Sequence, residues 1–234
     1  MTVPDLGAYI FGGTASGLAA PVRAWMAASP RFKLFATTYR DKIRKKARAA
    51  RDPEAAQDLY AELATAYRLL EEPRFAVEYE PYAAEKTRGP DFAVVFRTRV
   101  RFNMEVTRLR AAAPAPDEAA ARRDRIARAI CAKLPQMPPS AINVLTLVVA
   151  PGAYEAGDLT EALRLLTGAA ARRDDAFFVR RGFLGARDFG RQLQRVSAIL
   201  LGPAPPDDAE PGALWPNPQA KHPLPPDIAR ILAR

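Results

Sequence analysis

Residues 88–109, RGPDFAVVFRTRVRFNMEVTRL, constrain the chain more than any other stretch. Apolar and polar residues alternate on both arms, and the polar middle, Arg97 to Val100, suits a turn, so the stretch predicts a β-hairpin. On the second arm Arg101, Asn103, Glu105 and Thr107 take the odd positions and Phe102, Met104 and Val106 the even ones. A strand with that period has one wet or functional face and one core face. With a turn centred near Thr98 or Arg99, antiparallel partners sum to roughly 196–198, which sets Asp91 opposite Glu105 or one of its neighbours. Like charges opposed across a ladder repel, and a hard divalent cation held by both carboxylates removes the repulsion. The same spacing also describes Asp91 opening a strand after Gly89-Pro90 and Glu105 as a solvated side chain on an exposed sheet face. Spacing alone leaves both readings open.

Gly89-Pro90-Asp91-Phe92, the hairpin, and Asn103-Met104-Glu105-Val106-Thr107 resemble the PD-(D/E)XK restriction-endonuclease-like superfamily. Pro90, Asp91 and Glu105 match its motif, whereas Thr107 stands where that family usually has lysine. The flanks agree: a helix carrying Glu62 in AELATAYRLL, a strand in FAVEYEPY, and a later helix ending in Lys133-Leu134-Pro135-Gln136 before another strand. The resemblance covers about residues 53–150. It implies an α/β domain with a central mixed β-sheet flanked by helices. It further implies that Asp91 and Glu105 hold Mg²⁺ or Mn²⁺, that the Val106 carbonyl adds a ligand, and that the substrate is a nucleic-acid phosphodiester; Glu62, on the preceding helix, reads equally as a third carboxylate of the site and as a surface side chain.

With Thr107 in the lysine position, an active enzyme must find its cation elsewhere. The sequence offers Lys86, in the loop before Asp91, and Lys133, at the close of the following helix where nuclease-like proteins often turn polar residues toward the site. Lys133 is the expected substitute. The same threonine supports a second reading, a nuclease-derived module that binds nucleic acid or a partner without chemistry. A third reading is a structural protein whose basic helix meets an acidic partner.

Charge bears on the partner. A formal net charge of +9 and a pI near 10 favour a polyanion, nucleic acid before an anionic membrane surface. The densest cationic segment lies in residues 31–51, which predict one amphipathic helix with Phe32, Phe35, Tyr39 and Ile43 inward. Its outer face carries Lys42, Lys45, Lys46 and Arg48, candidates for phosphate contact. One cysteine, Cys131, leaves no intramolecular disulfide, and the single histidine, His222, sits in a Pro-rich tail, so hydrolytic chemistry must rest on carboxylates. The apolar N-terminal stretch lacks a basic leader and no apolar run is long enough to span a bilayer, so the expectation is a cytoplasmic protein with no membrane partner. A homodimer is compatible with the sequence.

The chain divides into an N-terminal basic helical extension (residues 1–52), an α/β core (53–202) and a Pro-rich loop with a C-terminal segment packed on the core (203–234). Residues 1–30 predict a turn at Gly12–Gly17 and a short helix over 21–28. Asp52-Pro53-Glu54 predicts a helix start, and 118–134 and 158–171 further helices. Ile142 to Val149 and Val196 to Leu201 predict strands, with Leu214 to Asn217 returning to the sheet edge and a last helix over 226–234.

Overall fold

The computed structural model describes residues 1–13, 17–82, 89–110, 116–204 and 212–234. Lys86, most of the 111–117 linker and of the 203–212 loop, and the centre of the Gly12–Gly17 turn lie outside those residues. The chain forms an α/β fold around one six-stranded mixed sheet, in the spatial order β1 (Phe75–Tyr79), β2 (Phe92–Phe96), β3 (Val100–Arg108), β4 (Ile142–Val149), β5 (Ala198–Pro203) and β6 (Ala213–Pro216). The first three strands are antiparallel neighbours, β3, β4 and β5 run parallel, and β6 returns antiparallel at the edge. Parallel neighbours need crossovers, and helices supply them. They are α6 (Glu118–Lys133) between β3 and β4, and α7 (Ala156–Ala171), α8 (Asp175–Val179) and α9 (Ala186–Leu193) between β4 and β5.

The hairpin register puts Phe92 opposite Met104 and Phe96 opposite Val100, partners summing to 196. Arg97 and Thr98 turn the chain with φ of 48° and 59°, and Arg99 N–H donates to the Phe96 carbonyl. Positive φ at both central residues matches the right-handed twist of the flanking strands. The alternation expected on the first arm does not hold, because four of the five residues of β2 are buried, so that neither face of this strand is open to water along its length. On β3 the polar face is not wet either: Asn103 and Glu105 are as buried as Phe102 and Met104.

Each face of the sheet has its own apolar cluster. Phe75, Tyr79, Phe92, Val94, Phe102, Met104, Val106 and Val144 pack beneath α1 (Val3–Phe11), α2 (Ala19–Ala28), α3 (Pro30–Thr38), α4 (Arg40–Ala49), α5 (Pro53–Glu71) and α10 (Pro226–Leu232). Leu145, Leu147, Val149, Ile199 and Leu201 pack beneath α6 to α9. The N-terminal helices thus share a core with α5 and the sheet: Trp25 stacks on Tyr67, and Phe35 packs on Tyr79.

Two N-terminal features differ from expectation. Residues 3–11 are helical, nucleated by Thr2 and Asp5 in a reciprocal cap with Pro4 in the first turn. The segment 31–51 is two helices rather than one, broken at Tyr39. Just before the break Thr37 and Thr38 donate their hydroxyls back to the carbonyls of Lys33 and Leu34, a pattern that bends helices.

Arg31, at the start of α3, donates to the carbonyls of Leu70, Glu72 and Phe75, tying the N-terminal layer to the end of α5 and the start of β1. Arg31→Ala removes charge-assisted bonds to three carbonyls, so urea unfolding should register a loss of about 2–3 kcal/mol. A loss below about 0.5 kcal/mol would show that water replaces the guanidinium at little cost.

Candidate active site

Because β2 begins at Phe92, opposite Met104, the last residues of β3 have no β2 residue beside them. Asp91, the residue before β2, lies at this gap, where continuing the register sum of 196 leads to Glu105. One carboxylate oxygen of Asp91 accepts a hydrogen bond from Val106 N–H at 2.8 Å, taking the place of the missing ladder partner. In a strand a residue's N–H and C=O leave on the same side, so the Val106 carbonyl also points toward the Asp91 side. Pro90 and Gly89 bring the chain in tightly: a Cβ on Gly89 would lie 2.6 Å from the Tyr82 ring.

Glu105 is 4% exposed, so it is not a solvated surface residue. Its partner is Lys133, at the end of α6, with Nζ 2.6 Å from Oε1. One pair of residues along β3, the Asn103 amide donates to Asn143 on β4 at 3.0 Å, and the Tyr82 hydroxyl donates to the Asn103 carbonyl oxygen. Thr107, the family's lysine position, keeps a buried hydroxyl for which no partner stands among the described residues.

Glu62 on α5 stands beside this pair but is otherwise engaged. One of its oxygens accepts from Lys46 at 2.7 Å and from the Tyr79 hydroxyl at 2.6 Å. Lys46 also pairs with Glu80 at 2.9 Å and lies over the Tyr79 ring. Lys42, one helical turn earlier, donates to the carbonyls of Tyr79 and Glu80, where the backbone turns at Glu80 with φ of 49°. These contacts correct the expected basic face of α4. Lys42 and Lys46 share the side that packs against the end of β1, so they serve the protein's own acceptors, while Lys45 and Arg48 remain exposed.

The electrostatics follow from this crowding. Burial, then the nearby charges of Glu62 and Glu105, hold the Asp91 carboxyl well above the usual carboxylate range, against the pull of Val106 N–H and Lys46. Burial likewise raises Glu105, and Lys133 offsets only part of the effect. The Tyr79 hydroxyl is pushed well up by burial and by Glu62. For Lys46 burial acts downward, but Glu62, Asp91 and Glu80 outweigh it and the net shift is upward. Counting Glu62, Glu80, Asp91 and Glu105 against Lys46 and Lys133, the fully ionised cluster carries four negative and two positive charges. A divalent cation would neutralise the difference.

Among the described residues no three His, Cys, Asp or Glu side chains gather into a metal-holding group. Asp91 and Glu105 are the two carboxylates that the motif resemblance pairs, and two carboxylates are the kind of partial donor set that a hard ion keeping several waters takes. Glu62 is turned to Lys46 and Tyr79 and is not part of that set in this arrangement. No helix among the described residues is long and apolar enough to cross a membrane. No protein-family profile, curated protein or solved structure matches the chain.

Asp91 prefers its proton in the folded state. Its contribution to stability is complete below the ordinary Asp value of 3.8 and is lost as pH rises through the higher folded value. Asn at this position keeps an acceptor for Val106 N–H and has no charge to bury. In chelator-treated buffer at about pH 7.5, Asp91→Asn should melt above the unmodified protein, each kcal/mol relieved raising Tm by about 2–4 °C in a chain of this size. The gap should close toward about pH 4. A lower melting point at neutral pH would mean that the cluster is already neutralised without an added ion.

Proposed function

We propose that the chain is a metal-dependent nuclease of restriction-endonuclease-like architecture that hydrolyses nucleic-acid phosphodiesters. The observation that carries this reading is the juxtaposition of half-buried Asp91, just before β2, with buried Glu105 on β3: Asp91 accepts from the N–H of Val106, the residue next to Glu105, and a lysine ammonium sits on the Glu105 carboxylate. The element order α5, β1, β2, β3, α6, β4, with β3 and β4 parallel, supports it, being the order the motif resemblance implies.

Asp91 and Glu105, with the Val106 carbonyl, would hold Mg²⁺ or Mn²⁺. When bound, such an ion polarises the phosphoryl group and lowers the pKa of attacking water. The remaining work belongs to the chain. Val106 N–H fixes the orientation of Asp91, leaving its other carboxylate oxygen for the site. Water attacks phosphorus, a carboxylate of the pair takes the proton, the P–O bond to the leaving group breaks, and the leaving oxygen is protonated from solvent. Lys133 takes the role of the lysine absent at 107, presenting a fixed positive charge where negative charge develops on the phosphoryl oxygens. It reaches that place from α6 rather than from β3. Lys45 and Arg48 remain available to backbone phosphates.

A second reading rests on two specific observations. Thr107 offers a neutral hydroxyl where the motif has an ammonium, and the Lys133 to Glu105 ion pair already compensates one carboxylate without a metal. Both suit a nuclease-derived binding module that has lost its chemistry.

The purified chain with Mg²⁺ or Mn²⁺ should cleave at least one of plasmid, single-stranded DNA and RNA, and Asp91→Ala should abolish cleavage. Lys133→Ala should lower turnover by a factor on the order of 10² with nucleic-acid affinity retained, as expected on losing a transition-state charge stabiliser. Thr107→Lys should partly restore that variant. Absence of cleavage in the unmodified chain and in Thr107→Lys with every metal would overturn the enzyme reading in favour of the binding module.

A further inference from the structure

Outside the carboxylate cluster, one concave surface gathers cations. The groove between α6 and α7 has a volume of about 180 Å³ and is lined by Arg123, Glu161, Arg164, Leu165 and Arg172. Three guanidinium groups face one carboxylate there, and that carboxylate is taken by its neighbour on the same helix, Arg164 bonding Glu161. Among the described residues Arg123 and Arg172 have no ion-pair partner in the groove.

Among the described residues that line the groove, Arg123 is the one with an orphaned donor, a feature that Arg44 and Arg181 share elsewhere in the molecule. Its Nε is buried with no acceptor among the described residues. A buried donor without a partner is destabilising, and more so when the group is charged. Neighbouring arginines on α6 are satisfied: Arg122 pairs with Asp158, and Arg125 donates to the Tyr154 hydroxyl. Arg172 stands where α7 ends, with its guanidinium close over Gly168, so that a Cβ there would lie 3.3 Å from Nη1. Arg172 is itself exposed, so its guanidinium is open to an incoming anion. Guanidinium groups offer paired N–H donors whose spacing matches the oxygens of a phosphate. At this volume the groove admits one small anionic group and is too small for a typical organic ligand.

We propose that the α6–α7 groove is a phosphate-group site, with Arg123 and Arg172 as its two donors and Leu165 as its apolar floor. Arg123 precedes Lys133 on α6 by ten residues, roughly 15 Å along the helix axis, so the groove is separate from the carboxylate cluster. The phosphate has two possible sources, the backbone of a nucleic acid or a small free phosphate such as pyrophosphate. The steep positive surplus of the chain favours the backbone. The site does not depend on whether the chain hydrolyses anything.

Binding is measured with chelator present, so that no cleavage intervenes, by fluorescence anisotropy with a labelled 12-base-pair duplex and by calorimetry with pyrophosphate. The double variant Arg123→Gln/Arg172→Gln should bind the duplex at least about tenfold more weakly, with the slope of log affinity against log salt reduced by between one and two, since each neutralised phosphate contributes about 0.9. A control with the same charge change far from the groove, Arg68→Gln/Arg230→Gln, should lose about threefold or less. Arg123→Lys keeps the charge but not the fork, and should fall between the unmodified chain and the double variant. If pyrophosphate binding is lost while duplex affinity is unchanged, the site stands and its ligand is a small free phosphate. Unchanged affinity for both probes, or an equal loss in the control, would overturn the proposal.

Discussion

The burial of Asp91 beside Glu105 and Glu62 is the interaction on which the rest of the molecule turns. Carboxylates gathered in a half-buried space repel one another, and the chain answers with two lysines from opposite layers of the fold. Lys46 comes from α4 on one face of the sheet, and Lys133 from the end of α6 on the other. Neither helix belongs to the hairpin that carries the carboxylates. The two layers are therefore joined electrostatically at the place where β2 starts late and leaves β3 uncovered. An offset of strand lengths creates the opening, and Asp91 closes its backbone side by accepting from Val106 N–H.

The same arrangement explains why the N-terminal helices are more than an appendage. Trp25, Phe32, Phe35 and Ile43 complete the apolar layer over β1 to β3, while Lys42 and Lys46 cap the end of β1 and balance Glu62 and Glu80. Buried ion pairs of this kind add little net stability, but removing one partner leaves a desolvated charge. The basic character of α4 is thus divided between an inward and an outward use. Segregation of charge also separates the carboxylate cluster from the arginine groove of α6 and α7 on the same molecule.

The hairpin was the most legible part of the sequence, because a period-2 pattern and a polar turn fix a register to within a residue. The observed sum of 196 lies within the expected range. The helix start at Asp52 is legible from its cap, whereas Thr2 and Asp5 form an equally regular cap within a Gly- and Ala-rich stretch whose composition suggests no helix. The break at Tyr39 could not be read from hydrophobic period, since Phe35 and Ile43 keep their spacing across it. Its signal was the Thr37-Thr38 pair. The direction of Lys42 and Lys46 was illegible for a different reason. A lysine four residues from another lysine looks like solvated charge until the packing of α4 against the end of β1 is known. Glu62 shows the same limit: its sequence position allowed a third carboxylate in the site, and only the placement of Tyr79 and Lys46 decides that it turns to them.

Under the proposed function Asp91 and Glu105 form one cation site rather than two separately compensated carboxylates. Crystals of the protein soaked in Mn²⁺ and measured at the manganese absorption edge test it most directly. The account predicts an anomalous peak within coordination distance of carboxylate oxygens from both Asp91 and Glu105, absent in Asp91→Asn. A map with no peak there, and with Lys133 still closed on Glu105 at high Mn²⁺, would contradict it.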